Sequence, residues 1–144
     1  MIWSFSTSRA FDRCQRSWFY DTIFGNGVAK DEDRHEIYLL SKLQTISAWR
    51  GSIVDKAIET SLVPALKRGR TGSLQQCVAR ARQLFDAQRA FALRHGLRDD
   101  GLKPTKVGDE FAAFLAVERG KEIADEEFAK AWGEIEQART TFSA

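Results

Sequence analysis

Residues that interrupt a helix are scarce in this chain. Its 144 residues include two prolines and ten glycines. No six-residue segment joins strict apolar–polar alternation to β-branched enrichment, so the pattern predicts no strand. Uninterrupted apolar runs last only a few residues, too short for a membrane-spanning helix. Cysteine is equally sparse. Cys14 and Cys77 lie far apart, outside any C-x-x-C spacing, which argues against a disulfide framework and for reduced thiols in a cytoplasm. The opening "MIWSFSTSRAF" has no basic region followed by an apolar run, so it does not read as a signal peptide. His35 and His95 are the only histidines. Neither has an H-x-x-x-H spacing or a cysteine partner, so zinc is not expected. No phosphate-binding glycine loop occurs. The formal charge of +2 is too small to argue for nucleic acid from bulk electrostatics, and any such argument rests on local patches.

What the chain does contain is helical periodicity and a core's worth of apolar residues, 43% against 29% charged. This is ordinary for a soluble globular chain. The expectation is an all-α fold of five or six helices forming one unit or fragment over residues 1–144. The first helix is expected to open near Ser6 or Ser8 and stop before "GNG" at Gly25–Gly27. Asp33 and Glu36 have capping-box spacing ahead of a stripe at Ile37, Leu40 and Leu43. A third helix is expected from Ser47, with Ile53, Val54, Ala57, Ile58, Ser61 and Leu62 inward, and Pro64 ending or kinking it. Ser73 is expected to cap a long helix reaching His95, with Leu74, Cys77, Val78, Ala81, Leu84, Phe85 and Phe91 as its apolar stripe. A loop, a short helix near Asp109–Glu118 ending at Gly120, and a last helix from Asp125 complete the reading. That last helix carries Phe128, Trp132, Ile135 and Phe142 on one side.

Within "FSTSRAFDRCQRSWFYDTIFG" aromatic bulk and arginine coincide. On a continuous wheel at about 100° per residue, Phe11, Cys14 and Trp18 share one side. Arg9, Arg13, Arg16 and Tyr20 fall on the other. Arginines so spaced can track phosphates, and Tyr20 can offer a stacking surface. The same face also fits a solvated surface with i,i+4 partners such as Asp12 and Arg16. Lys67–Arg70 form a second basic turn that reads more simply as a solvated loop.

Two blocks resemble RecB-type nucleases of the PD-(D/E)XK superfamily. In the first, Ser6, Ser8, Phe11, Cys14, Arg16, Phe19 and Tyr20 fit the stretch that precedes the family's catalytic core, with Gln15 where proline is usual. In the second, Tyr38, Leu40, Lys42, Leu43, Trp49, Gly51, Ile53, Val54 and Ile58 fit a pattern built around W-x-G-x-I-V. The segment from Phe114 to Ala144 is more weakly similar to the helix before the first core strand. The resemblance implies a metal-dependent DNA nuclease, with Mg or Mn in the full family. Asp55 stands where the family has a metal-binding histidine. A carboxylate can also ligate a hard cation, and Glu59 lies one turn further on. An exposed i,i+4 acidic pair is the simpler reading of the two. Cys14 matches the early cysteine of an iron–sulfur subgroup whose three late cysteines are absent here, which leaves it as a core residue beside Phe11 and Trp18.

The family's strand-end Asp and its E-x-K or D-x-K pair are absent from these 144 residues. Those groups hold the metal and orient the attacking water. The resemblance therefore implies a helical segment that is inactive alone, with no metal expected for this chain and with DNA and a chain or domain supplying the catalytic core as partners. Two alternatives stay open: a stand-alone helical DNA-binding or regulatory module, and a helical protein-interaction domain with no nucleic-acid role.

Overall fold

The computed structural model describes residues 5–25, 27–28, 30–99 and 103–142. The chain divides into two compact units, Met1–Leu43 and Gln44–Ala144, which are described in turn.

The first unit holds α1 (Phe5–Arg13), α2 (Gln15–Phe19) and α3 (Glu32–Leu40). A π turn, Tyr20–Phe24, prolongs α2 and closes where the Gly25 amide donates to the Tyr20 carbonyl at 2.8 Å. The expected single helix is therefore two. Cys14 takes an extended conformation between them, and its sulfur accepts from the Ser17 amide at 3.5 Å. The cap of α3 is Asp31, accepting from the Arg34 amide at 3.0 Å, rather than the Asp33–Glu36 pair. Leu39 is buried while Leu40 remains 45% exposed, so the stripe runs one residue earlier than its expected line. Gly27 is needed for clearance: a Cβ there would lie 2.6 Å from the Tyr38 ring.

The second unit begins at Gln44, the last residue of β1 (Leu43–Gln44), which pairs with β2 (Ala113–Phe114) in the only sheet among the described residues. Thr45 then caps α4 (Ile46–Ala57) by accepting from the Ala48 amide at 3.2 Å. Pro64 does not end this helix. A π turn, Ile58–Leu62, intervenes and the helix resumes as Val63–Lys67. Proline has no N–H and its ring presses on the carbonyl four residues back. The widened turn before it absorbs both effects, with the Val63 amide reaching the Ile58 carbonyl. Gly69, at φ +67°, then stops the helix, and the Arg70 amide bonds back to Ala65 at 3.0 Å.

Ser73 caps α5 (Leu74–Arg94), accepting from the Gln76 amide at 3.3 Å. Cys77, Ala81, Leu84, Phe85 and Ala92 form its buried stripe. Phe91, expected in that stripe, is only half-buried. Next come α6 (Pro104–Val107), continued by a 3₁₀ turn at Gly108–Glu110, then β2, then α7 (Leu115–Glu118). The expected helix near Asp109–Glu118 is thus interrupted by an extended stretch that buries Ala112, Ala113 and Phe114. The last helix, α8 (Asp125–Phe142), starts at the expected residue with Asp125, Glu126 and Glu127 in its first turn, where the helix dipole favours negative charge. It buries Phe128, Ala131 and Ile135. The expected place of Phe142 on its inner side lies outside the described side chains. Counting α2 and α4 through their π turns, eight helical stretches occur among the described residues rather than five or six.

Trp49 lies at the centre of the second unit's core and is 0% exposed. Its ring centroid is 4.7 Å from Phe85, 5.0 Å from Phe114 and 6.0 Å from Phe128. The last two contacts are edge-on, the arrangement that aligns aromatic quadrupoles. A buried indole N–H needs an acceptor, and Gln88 Oε1 supplies it at 2.7 Å. The other end of Gln88 donates to the Asp109 carbonyl at 2.7 Å. Val54 and Leu62, expected inward, are partly buried against this core, while Ile58 is exposed.

Trp49→Ala is expected to lower unfolding free energy by about 3–5 kcal/mol through the cavity it leaves. Trp49→Phe is expected to cost about 1–3 kcal/mol, mainly by stranding the Gln88 carbonyl oxygen. Urea denaturation followed by circular dichroism measures both. A loss below ~1 kcal/mol for the alanine variant contradicts the central placement of this ring.

Candidate nucleic-acid interface

The residues proposed to meet phosphate, Arg9, Arg13, Arg16 and Tyr20, all belong to the first unit. Arg9 and Arg13 sit one turn apart on α1 and both are exposed. The extended Cys14 resets the helical phase before Arg16, so the continuous-wheel argument does not place Arg16 on their face. Arg16 instead shares a face with Tyr20, its guanidinium carbon 6.0 Å from the Tyr20 ring centroid. That separation is at the outer limit of a cation–π contact.

Tyr20 is half-buried in an aromatic group. Its centroid lies 5.6 Å from Phe19 and 5.7 Å from Phe24, both edge-on. Arg34 holds this group in place: its Nε donates to the Phe24 carbonyl at 2.9 Å and its guanidinium lies 5.7 Å from the Phe24 ring centroid. The ring most open to solvent here is Phe19, at 43%. The sequence places the stacking ring at Tyr20, and Phe19 is not among the expected contact residues. The helical break, which changes which ring faces outward, has no signature in apolar spacing.

Phe11 and Trp18 meet as expected, with centroids 5.1 Å apart and planes at 85°. They do so across the break, by the packing of α1 on α2. Cys14 does not join them. It is exposed, a correction to its expected core place, because its sulfur faces the first turn of α2 as a cap.

The metal candidates belong to the second unit. Asp55 is exposed on α4. Glu59 falls in the π turn, and its carboxylate takes the Lys56 ammonium at 3.2 Å. Lys56 also lies 3.5 Å from Asp109, whose carboxylate accepts from Arg80 at 2.8 Å. The hydrogen bond to Glu59, then the charge of Asp109, raise the Lys56 pKa and keep it cationic. Glu59 and Asp109 thus each face the Lys56 ammonium, while Asp55 is exposed on the neighbouring turn. No cluster of three or more His, Cys, Asp or Glu occurs among the described residues, and none of the described helices is long and apolar enough to cross a membrane.

The two thiols are expected to separate cleanly. Cys14 should react with a thiol reagent in the native protein, and Cys77 only on unfolding, because Cys77 is buried. Burial also pushes the Cys77 thiol above its ordinary pKa. The unfolded chain then releases that proton first, so the contribution is complete below the ordinary thiol range near ~8.5 and declines as pH rises through it. Mass spectrometry after timed alkylation reads the difference, and equal native rates at the two positions would contradict it. No family model, curated protein or solved structure matches the chain.

Proposed function

We propose that this chain is the helical segment of a RecB-like DNA nuclease, and that its first unit contacts the DNA backbone. One observation supports this reading above the others. Arg9, Arg13 and Arg16 are exposed in one unit, and Arg16 lies over Tyr20, 6.0 Å from its ring centroid, in an aromatic group whose outermost ring, Phe19, is open to solvent. Guanidinium groups suit phosphate, and an adjacent ring suits an unstacked base. Catalysis belongs, on this reading, to a core that these residues do not encode. The absence of an acid-x-Lys pair supports that view.

Three phosphate contacts set the scale. Affinity for duplex DNA is expected to fall with a log–log salt slope near −2.7, or about 40-fold between 50 and 200 mM salt. Each of Arg9→Ala, Arg13→Ala and Arg16→Ala should reduce that slope by about 0.9. Fluorescence anisotropy at several salt concentrations measures this. Absence of binding at low salt would overturn the reading and favour a protein-interaction role. Nuclease activity with Mg²⁺ or Mn²⁺ from these 144 residues alone would overturn the missing-core part of it.

A further inference from the structure

Two cavities in the second unit differ in one electrostatic respect. The first, about 370 Å³, is lined by Arg50, Gly51, Val54, Glu134 and Ile135. Its cation and its anion form an ion pair with each other, so its wall is neutral. The second, about 200 Å³, lies where the start of α4 faces β2 and α7. Arg119 and Lys121 line it, and among the described residues neither side chain meets an acidic partner. Glu127 is the one carboxylate in its wall, leaving an excess of positive charge.

Local backbone geometry brings the two cations to one rim. Gly120, at φ +70°, ends α7, and the Lys121 amide folds back to the Ala116 carbonyl at 2.9 Å. Arg119 and Lys121 therefore flank a closed turn. Ile46 and Phe114 supply an apolar wall, which lowers the local dielectric and strengthens attraction to a guest anion. Elsewhere in this unit Arg50, Lys56, Arg80, Arg82, Arg89 and Arg98 have carboxylate partners, whereas Lys67, Arg68 and Arg70 stand in an exposed turn. What distinguishes Arg119 and Lys121 is that both line one cavity.

We propose that this cavity binds a single phosphate group. A guanidinium fork meets two phosphate oxygens at once, and an ammonium adds a compact second charge. The volume selects the size of the guest. It falls below the roughly 300–1,000 Å³ of sites that engulf whole small molecules, so one tetrahedral oxyanion fits, with anything attached to it left outside. The site is independent of the first unit's arginines and does not rest on the DNA reading.

The full chain titrated with inorganic phosphate at low ionic strength tests this by NMR shift perturbation. Saturable binding near ~1 mM is expected, with the largest shifts at residues 45–46 and 114–121. Arg119→Ala with Lys121→Ala should weaken it by at least about tenfold, and Glu127→Gln should tighten it about threefold. All three side chains are exposed, and circular dichroism confirms that the variants keep their helices. No saturation up to ~50 mM, or one affinity for all variants, overturns the site. A second arm compares 5′-phosphorylated and 5′-hydroxyl oligonucleotides in a chain carrying Arg9→Ala, Arg13→Ala and Arg16→Ala. A preference for the phosphorylated end that disappears in the Arg119/Lys121 variant identifies a nucleic-acid terminus as the source of the phosphate. No preference, with inorganic phosphate binding retained, identifies the free anion.

Discussion

The second unit is organised by one buried side chain with two incompatible needs. The Trp49 ring must be dry, and its N–H must not be. Phe85, Phe114 and Phe128 meet the first need, each from a different element. Gln88 meets the second, and by donating onward to the Asp109 carbonyl it ties α4 and α5 to the 3₁₀ turn that precedes β2. Losing the amide would leave a buried donor and a loop carbonyl unmatched together. This coupling is how a two-residue strand, too short to hold itself, stays in place: Phe114 is fixed by its ring more than by its ladder.

The surface charges follow from the same arrangement. Asp109 is held by its backbone, so its carboxylate stands where Lys56 and Arg80 can both reach it. Arg80 in turn hydrogen-bonds Thr60 at 3.4 Å, beside the π turn that Pro64 imposes. Such exposed pairs contribute little to stability one by one. Of the two expected carboxylates, Glu59 is drawn into this network through Lys56 and Asp55 is exposed outside it.

Where local chemistry was decisive, the sequence was legible. Ser73 and Asp125 open their helices because a hydroxyl cap and an acidic first turn act within four residues. Gly120 closes α7 because only glycine accepts its φ cheaply. The failures share a different cause. The break at Cys14 depends on a thiol acting as a cap, a role that apolar spacing does not encode. The extended run before Leu115 is set by the aromatic ring around Trp49, which is tertiary, and tertiary packing overrides helical propensity. Of the two roles open to Pro64, ending the helix is the one it does not take, because the π turn before it accommodates a proline that an ideal helix cannot. Gln88 left no trace as a core residue, since polar side chains enter a core only where a buried donor waits for them.

The candidate surfaces show the same divide between local and tertiary information. Arg9, Arg13 and Arg16 were visible as a row, but the row holds only while one helix runs through Cys14. Two helices turn it into a pair on α1 and a single arginine over Tyr20. The two helices are held to one another by the edge-on contact of Phe11 with Trp18, so the spacing between the pair and the single arginine is set by tertiary packing and not by helical repeat.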